Sequence, residues 1–180
     1  PGSGIPSKAY SIANPPQDGT AIEILFERRG ALSERLTLLN GGETLLLRGP
    51  LGKWAYRDED RHAALICAGT GIAPMRAIVR YVLEKGLPNR RDLFYSDRTP
   101  GRLLFRRELE AAAERGVGLH LSVLEPEGLW EEGSWWDGAR GPLTPEAVAA
   151  AVGPLADSAF YLCGGSRRIA LRPSAKRHLR

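Results

Sequence analysis

The residues predict an α/β protein with a parallel sheet in the later, larger part of the chain, preceded by a shorter strand-rich stretch. Two observations carry this. From Ala63 to Gly86 a short apolar run breaks at Gly69-Thr70-Gly71 and continues as a helix-period pattern. Beyond it, apolar runs and helical patterns alternate to Cys163, the signature of a sheet covered by helices on both faces.

Ala63 to Cys67 reads as a strand. Ile72, Met75, Ile78, Val79, Val82 and Leu83 fall three and four apart and line one helix face. Pro74 has no amide hydrogen to donate, which a helix tolerates in its first turn, so the helix is expected to begin at Ile72 or Ala73. Strand, glycine turn and helix together present backbone N–H groups at a positive helix end, where a phosphate can sit. Glycine lets the backbone approach it closely. Before this unit, Lys8 to Ala13 and Ala21 to Glu27 read as strands joined by the turn cluster Asn14-Pro15-Pro16-Gln17-Asp18-Gly19. Gly30 to Ser33 opens a short helix, and Glu43 to Arg48 reads as a third strand, closed by Gly49-Pro50-Leu51-Gly52. The charged run Tyr56 to His62 marks a domain boundary, dividing residues 1–58 from 59–180. After it come a strand at Asp92 to Ser96 and a helix over Arg102 to Arg115, with Leu103, Leu104, Leu109 and Ala112 facing inward. A strand over Val117 to Leu124 is followed by a loop bearing Trp130, Trp135 and Trp136. A helix from Pro145 to Val152, capped by Thr144, leads to a last strand at Ser158 to Leu162.

The 180 residues, 43% hydrophobic and 26% charged, have the make-up of a globular protein with a sizeable core. No apolar run reaches membrane-spanning length. The net charge of +4 is concentrated after Ser166, where Arg167, Arg168, Arg172, Lys176, Arg177 and Arg180 occur without an acid. This reads as a solvated basic tail, not a nucleic-acid surface. Cys67 and Cys163 read as free thiols of a reducing cytoplasm. Two cysteines hold no iron–sulfur cluster or structural zinc. His62, His120 and His178 stand in no pattern with a nucleophile or metal ligand.

Five strings in order, KAYSIAN, GALS, GPLG, GTGIAPM and YLCGG, resemble the ferredoxin–NADP⁺ reductase superfamily. The resemblance implies a partial antiparallel β-barrel that binds FAD, followed by an α/β nucleotide-binding domain for NAD(P)H. It places Tyr10 and Ile12 on the flavin, Ser11 near its reactive nitrogen, and Lys8 where the family has arginine. A lysine there is a point charge without the bidentate fork. Gly30, Leu32 and Ser33 match the loop holding the flavin diphosphate. Gly69, Thr70, Gly71 and Pro74 match the turn for the nicotinamide dinucleotide's pyrophosphate. Cys163 and Gly164 match the pair beside the nicotinamide, with Gly165 in place of the usual proline.

The choice of dinucleotide stays open. Arg98 suits the 2′-phosphate of NADPH, whereas the third strand ends in Glu125-Pro126-Glu127, where a carboxylate would repel that phosphate and suits a free ribose hydroxyl.

By resemblance the chain is an NAD(P)H-dependent flavoprotein reductase, with Ser11 and Cys163 at the reacting rings. Its partner would be a ferredoxin, a flavodoxin or an iron–sulfur subunit. Relatives have further barrel strands before the Tyr-Ser motif and more structure after Cys-Gly, so the ends read as truncated, with residues 166–180 an aberrant tail. The rival expectation is a catalytically silent nucleotide-binding fragment, or a subunit completed by another chain.

Overall fold

The computed structural model describes residues 7–126, 136–153, 157–165 and 169. Its centre is a five-stranded, all-parallel sheet in the order β4-β3-β2-β1-β5. The strands are β1 (His62–Ala68), β2 (Arg90–Asp97), β3 (Gly118–Val123), β4 (Ala139–Arg140) and β5 (Ser158–Cys163). Every residue of β1, an interior strand between β2 and β5, is buried. That is why its sequence is a continuous apolar run without alternation.

Helices α2 (Ile72–Lys85) and α3 (Arg106–Glu114) cover one face. Their core joins Leu65, Cys67, Leu93, Tyr95 and Val123 of the sheet to Ile72, Met75, Val79, Val82 and Leu109 of the helices. On the other face, α4 (Pro145–Val152) packs Val148 and Val152 against Ala64, Ile66 and Phe94. Thr144 caps α4, accepting from the Ala147 amide at 3.2 Å. α2 ends at Gly86 in the left-handed conformation (φ 67°), a conformation glycine adopts without steric cost.

Three expectations change. The helix after β2 begins at Arg106, not Arg102: residues 100–102 form a 3₁₀ turn, and Phe105 takes φ 59°. Leu103 is buried, but Leu104, outside the helix, is 38% exposed. The strands expected at Lys8 to Ala13 and Ala21 to Glu27 reduce to one antiparallel bridge, Ile12 to Ile24, with Ala13 N donating to Glu23 O at 2.8 Å. Glu43 to Arg48 forms no strand. The reason is pairing: a strand is held by a hydrogen-bonded neighbour, and among the described residues the first two segments pair only with each other, at that one bridge, while Glu43 to Arg48 bridges to no other segment. A flavin-binding barrel is accordingly not formed by the described residues. The short helix at Gly30 does form, as α1 (Ala31–Leu36). Trp130, Trp135 and the basic tail, apart from Ile169, lie outside the described residues. Among those residues, no helix is long and apolar enough to cross a membrane.

The two parts differ in how much they bury. Leu93 is fully buried, whereas Leu46 is 94% exposed. Leu93→Ala is expected to cost about 2–5 kcal/mol, and Leu46→Ala less than about 0.5 kcal/mol, as read from chemical denaturation of both variants.

Candidate functional site at the carboxyl ends of the strands

In an open parallel sheet the loops leaving the carboxyl ends of neighbouring strands border a crevice. Here those loops are Gly69–Gly71 after β1, Arg98 after β2, Leu124–Glu125 after β3 and Gly164 after β5. Gly69 adopts φ 58° and starts a 3₁₀ turn that runs directly into α2. No side chain caps the amino end of α2. Pro74 is the third residue of α2, in its first turn.

Two glycines bring this turn against the end of β5. A Cβ on Gly71 would lie 2.1 Å from the Cys163 carbonyl oxygen and 3.0 Å from Gly164 Cα. A Cβ on Gly164, at φ 143°, would lie 2.7 Å from the Ala68 amide nitrogen. Backbone meets backbone at both points, so neither position admits a side chain. Gly165, by contrast, faces open space. The structure therefore brings Gly69, Thr70, Gly71, Cys163 and Gly164 together, with Thr70 and Cys163 partly accessible and Gly164 exposed.

Cys67 and Cys163 are neighbours across β1 and β5, and both are free thiols. Burial pushes the Cys67 thiol well above its ordinary range, with Cys163 and Asp97 adding to it. Burial also pushes Cys163 up. A protonated thiol is a poor nucleophile. At the end of β5 Cys163 can pack and donate weakly, and it does not supply an anion.

Arg98 and Glu125 pair with each other: Arg98 Nε lies 2.9 and 2.8 Å from the two carboxylate oxygens. The backbone holds them in register, with Glu125 N donating to Arg98 O at 2.7 Å. Both side chains are exposed, so the pair is weak and can be exchanged for a ligand. Asp97 and Arg102, which sequence reasoning passed over, support this edge. The buried Asp97 carboxylate accepts from the Arg98 amide at 2.6 Å and lies 3.4 Å from Arg102 Nε. A buried acid at a strand end gives no periodic signal.

The flavin-motif residues lie on the preceding segment. Lys8 and Ser11 are exposed, Ile12 is 42% exposed, and the Lys8 ammonium sits 5.7 Å from the Tyr10 ring centre. Tyr10 Oη is buried without a hydrogen-bond partner among the described residues, a donor still to be satisfied. Gly30 (φ 89°) precedes α1, and Leu32 is half-buried on it. The Ser33 hydroxyl is already spent locally, donating to Gly30 O at 2.9 Å and accepting from the Arg29 amide at 2.6 Å. Leu25 of this segment and Cys163 pack on the same core cluster, on the α2 side of the sheet.

The histidines are better connected than their spacing indicates. His62 Nε2 lies 2.7 Å from the Asp92 carboxylate and Nδ1 lies 2.9 Å from Ser158 Oγ. His120 reaches the same carboxylate at 3.1 Å and stacks on Phe94 at 4.4 Å. This cluster lies toward the amino ends of the strands, away from the crevice. Asp92 is shared between both histidines and Arg90, which spends its charge on holding strands together. Among the described residues no group of side chains is arranged to hold a metal ion.

A parallel sheet with a glycine turn between its first strand and the following helix, abutting a Cys-Gly pair at the end of the adjacent strand β5, defines a dinucleotide-binding α/β domain. The family model for the oxidoreductase NAD-binding domain matches residues 65–171. The chain belongs to this family, within the ferredoxin–NADP⁺ reductase-like superfamily.

Among curated relatives, it is 31% identical over 147 residues to NADH-cytochrome b5 reductase 1 of Emericella nidulans. That match covers 76% of this chain and 45% of the relative. It is 30% identical over 173 residues to ferredoxin–NADP reductase B of Sorangium cellulosum, covering 91% of this chain and 69% of the relative. The chain thus spans about half the length of the cytochrome b5 reductases it matches. In fold it resembles the cytochrome b5 reductase domain of Ulva prolifera nitrate reductase, with a TM-score of 0.64 at 23% identity over 83% of this chain and 58% of that one. It also resembles a ferredoxin NADP⁺ reductase from Neisseria gonorrhoeae with bound FAD and NADP, with a TM-score of 0.65 at 20% identity over 88% of this chain and 66% of that one.

Two substitutions test the junction. Gly71→Ala forces apart the Gly69–Gly71 turn and the end of β5, and is expected to weaken NAD⁺ binding more than about tenfold, a loss of some 1.4 kcal/mol. Gly165→Ala, facing open space, is expected to bind within about twofold of the parent; calorimetric titration of both variants checks this. In the folded protein, a thiol reagent at neutral pH is expected to modify Cys163 slowly and Cys67 only on unfolding, as followed by mass spectrometry.

Proposed function

We propose that the chain is the nucleotide-binding part of a flavin-dependent reductase. It would take reducing equivalents from NAD(P)H and deliver them, through FAD, to a one-electron carrier such as a ferredoxin, a flavodoxin or an iron–sulfur subunit. The single observation that carries this is the Gly71 to Cys163–Gly164 contact. It sets the turn that receives a pyrophosphate beside the residues that would border the nicotinamide.

In this reading Gly69, Thr70 and Gly71 hold the dinucleotide phosphates at the positive end of α2. Pro74 stiffens the first turn, and Cys163 with Gly164 would flank the nicotinamide. Tyr10, with its unpartnered hydroxyl, would meet the flavin beside Lys8, Ser11 and Ile12, and Gly30 to Ser33 would face its diphosphate through backbone groups. Flavin, when bound, supplies the conversion between two-electron and one-electron chemistry. The protein's task is then orientation, which can contribute roughly 7–11 kcal/mol where two reactants are held in a near-attack geometry. The proposed division at residue 58 separates the flavin-side segment from the nucleotide domain. Two free thiols accord with a cytoplasmic location. The names of the relatives support the class of partner.

The Arg98–Glu125 pair supports NADH as the better substrate. A 2′-phosphate must displace a carboxylate that already occupies the guanidinium, while a ribose hydroxyl can donate to that carboxylate. Replacing Glu125 by glutamine is expected to shift the NADPH to NADH ratio of kcat/KM upward by about ten- to hundredfold, since each 1.4 kcal/mol is tenfold. Arg98→Ala is expected to weaken NADPH far more than NADH; equal losses in KM would remove Arg98 from this role.

A second reading has its own support. Leu38, Leu46, Leu47 and Leu51 are more than 60% exposed, as befits a subunit that another chain completes or a silent nucleotide-binding module. Colour separates the two: purified protein whose flavin absorbance bleaches on adding NADH is a reductase, and colourless protein that gains thermal stability with NADH is the silent module.

A further inference from the structure

Arg76 sits in the second turn of α2 and is only 8% exposed. A buried guanidinium is costly unless fully paired, and this one has partners on four sides. Its Nε donates to both Glu108 carboxylate oxygens at 2.9 Å. Its Nη1 donates to the Ala13 carbonyl at 2.9 Å and to the Glu23 carboxylate. Its central carbon lies 4.5 Å from the Phe105 ring centre. Burial opposes the charge, but Glu23 and Glu108 outweigh it and hold Arg76 above its ordinary value.

The partners come from separate parts of the chain. Ala13 and Glu23 are the two residues whose backbone bond ties Lys8–Ala13 to Ala21–Glu27. Asn14 reinforces that tie, donating to Ala21 O at 2.9 Å and accepting from the Glu23 amide at 2.7 Å. Ala13 and Asn14 are buried, whereas Ser11 and Ile12 just before them are exposed. Phe105 holds a positive φ of 59°, a conformation unfavourable for a bulky residue that persists only where the surroundings enforce it. Arg80 and Arg102 extend the same seam, to Asp18 at 2.7 Å and Glu27 at 2.9 Å. Of the four acids, Asp18, Glu23 and Glu27 lie on the first segment, while Glu108 and all three arginines lie on the nucleotide domain.

We propose that Arg76 is a positioning residue: it fixes where the Tyr10–Ser11 segment stands relative to the Gly69–Gly71 turn. Arg76 lies five residues after Gly71, about 7.5 Å along the helix at 1.5 Å per residue. One rigid helix thus carries the phosphate turn at its tip and the anchor of the flavin-side segment a little behind it. The proposal rests on the reductase reading for its catalytic consequence, while the clasp itself is a property of the chain alone.

Two measurements on the full chain test it: hydrogen–deuterium exchange without added cofactor, and stopped-flow reduction of bound flavin by NADH. In Arg76→Met the amides of Ala13 and Glu23 are expected to exchange at least about tenfold faster, while those of Leu65 and Cys67 stay protected. NAD⁺ affinity and the KM for NADH are expected within about twofold of the parent, with flavin reduction about ten- to hundredfold slower. Arg76→Lys, which keeps the charge without the planar fork, is expected to recover only part of the rate. Unchanged exchange and an unchanged reduction rate in Arg76→Met would overturn the proposal. Should that variant fail to fold, Glu23→Gln, at a half-exposed carboxylate, is expected to move both readouts the same way, and no change there overturns it as well. A parent protein that takes up no flavin contradicts the reductase reading, and the exchange comparison then decides the clasp by itself.

Discussion

Everything at the carboxyl end of this sheet depends on one close approach, the backbone of Gly71 against the backbone of Cys163 and Gly164. Two peptide segments can lie this near only where no Cβ intervenes. The contact fixes β5 beside the entry to α2, so the Gly69–Gly71 turn and the Cys-Gly pair share one edge of the sheet. Ala68 adds a second close approach: a Cβ on Gly164 would lie 2.7 Å from the Ala68 amide nitrogen. An added methyl at either glycine would open the crevice instead of filling an empty space.

The two ends of the sheet are chemically distinct. At the amino ends, polar side chains are consumed by one another: Asp92 serves His62, His120 and Arg90, and Arg90 also donates to the last carbonyls of α4. At the carboxyl ends, backbone groups and a weak, exposed ion pair remain accessible. The Tyr56–Tyr161 region ties the linker down on the α2 side. Tyr161 Oη accepts from the Arg57 amide at 3.1 Å and donates to Asp60, and burial pushes the Tyr56 phenol up to about 12. The tyrosine rings are packed together here while the charged side chains of the same run bond outward.

Much of the nucleotide domain was legible in the residues. Helical spacing over Ile72 to Leu83, the proline that α2 accepts only near its start, and the Thr144-Pro145 entry to α4 are local signals, and local signals survive folding unchanged. The expected strands before residue 50 were misread because strand character needs a neighbour: Glu43 to Arg48 has the composition of a strand and nothing among the described residues to pair with. Arg76 was hidden for another reason. In the pattern of α2 it looks like one polar position among apolar ones, and its burial follows from Glu23, Glu108 and Phe105, which the chain brings in from far away. Arg98 and the acidic stretch Glu125-Pro126-Glu127 were visible as opposing hints about the dinucleotide; Glu127 lies outside the described residues, while Arg98 and Glu125 form a pair. Only the parallel register of β2 and β3 shows that they meet and neutralise each other.

The account stands on the place where the dinucleotide binds. An amide-resolved NMR titration of the whole chain with NAD⁺ addresses it most directly. The largest shifts are expected at Gly69, Thr70, Gly71, Cys163 and Gly164, with His62, Asp92 and Ser158 unmoved. Shifts centred on His62 and Ser158, or none at the glycine turn under saturating NAD⁺, would contradict it.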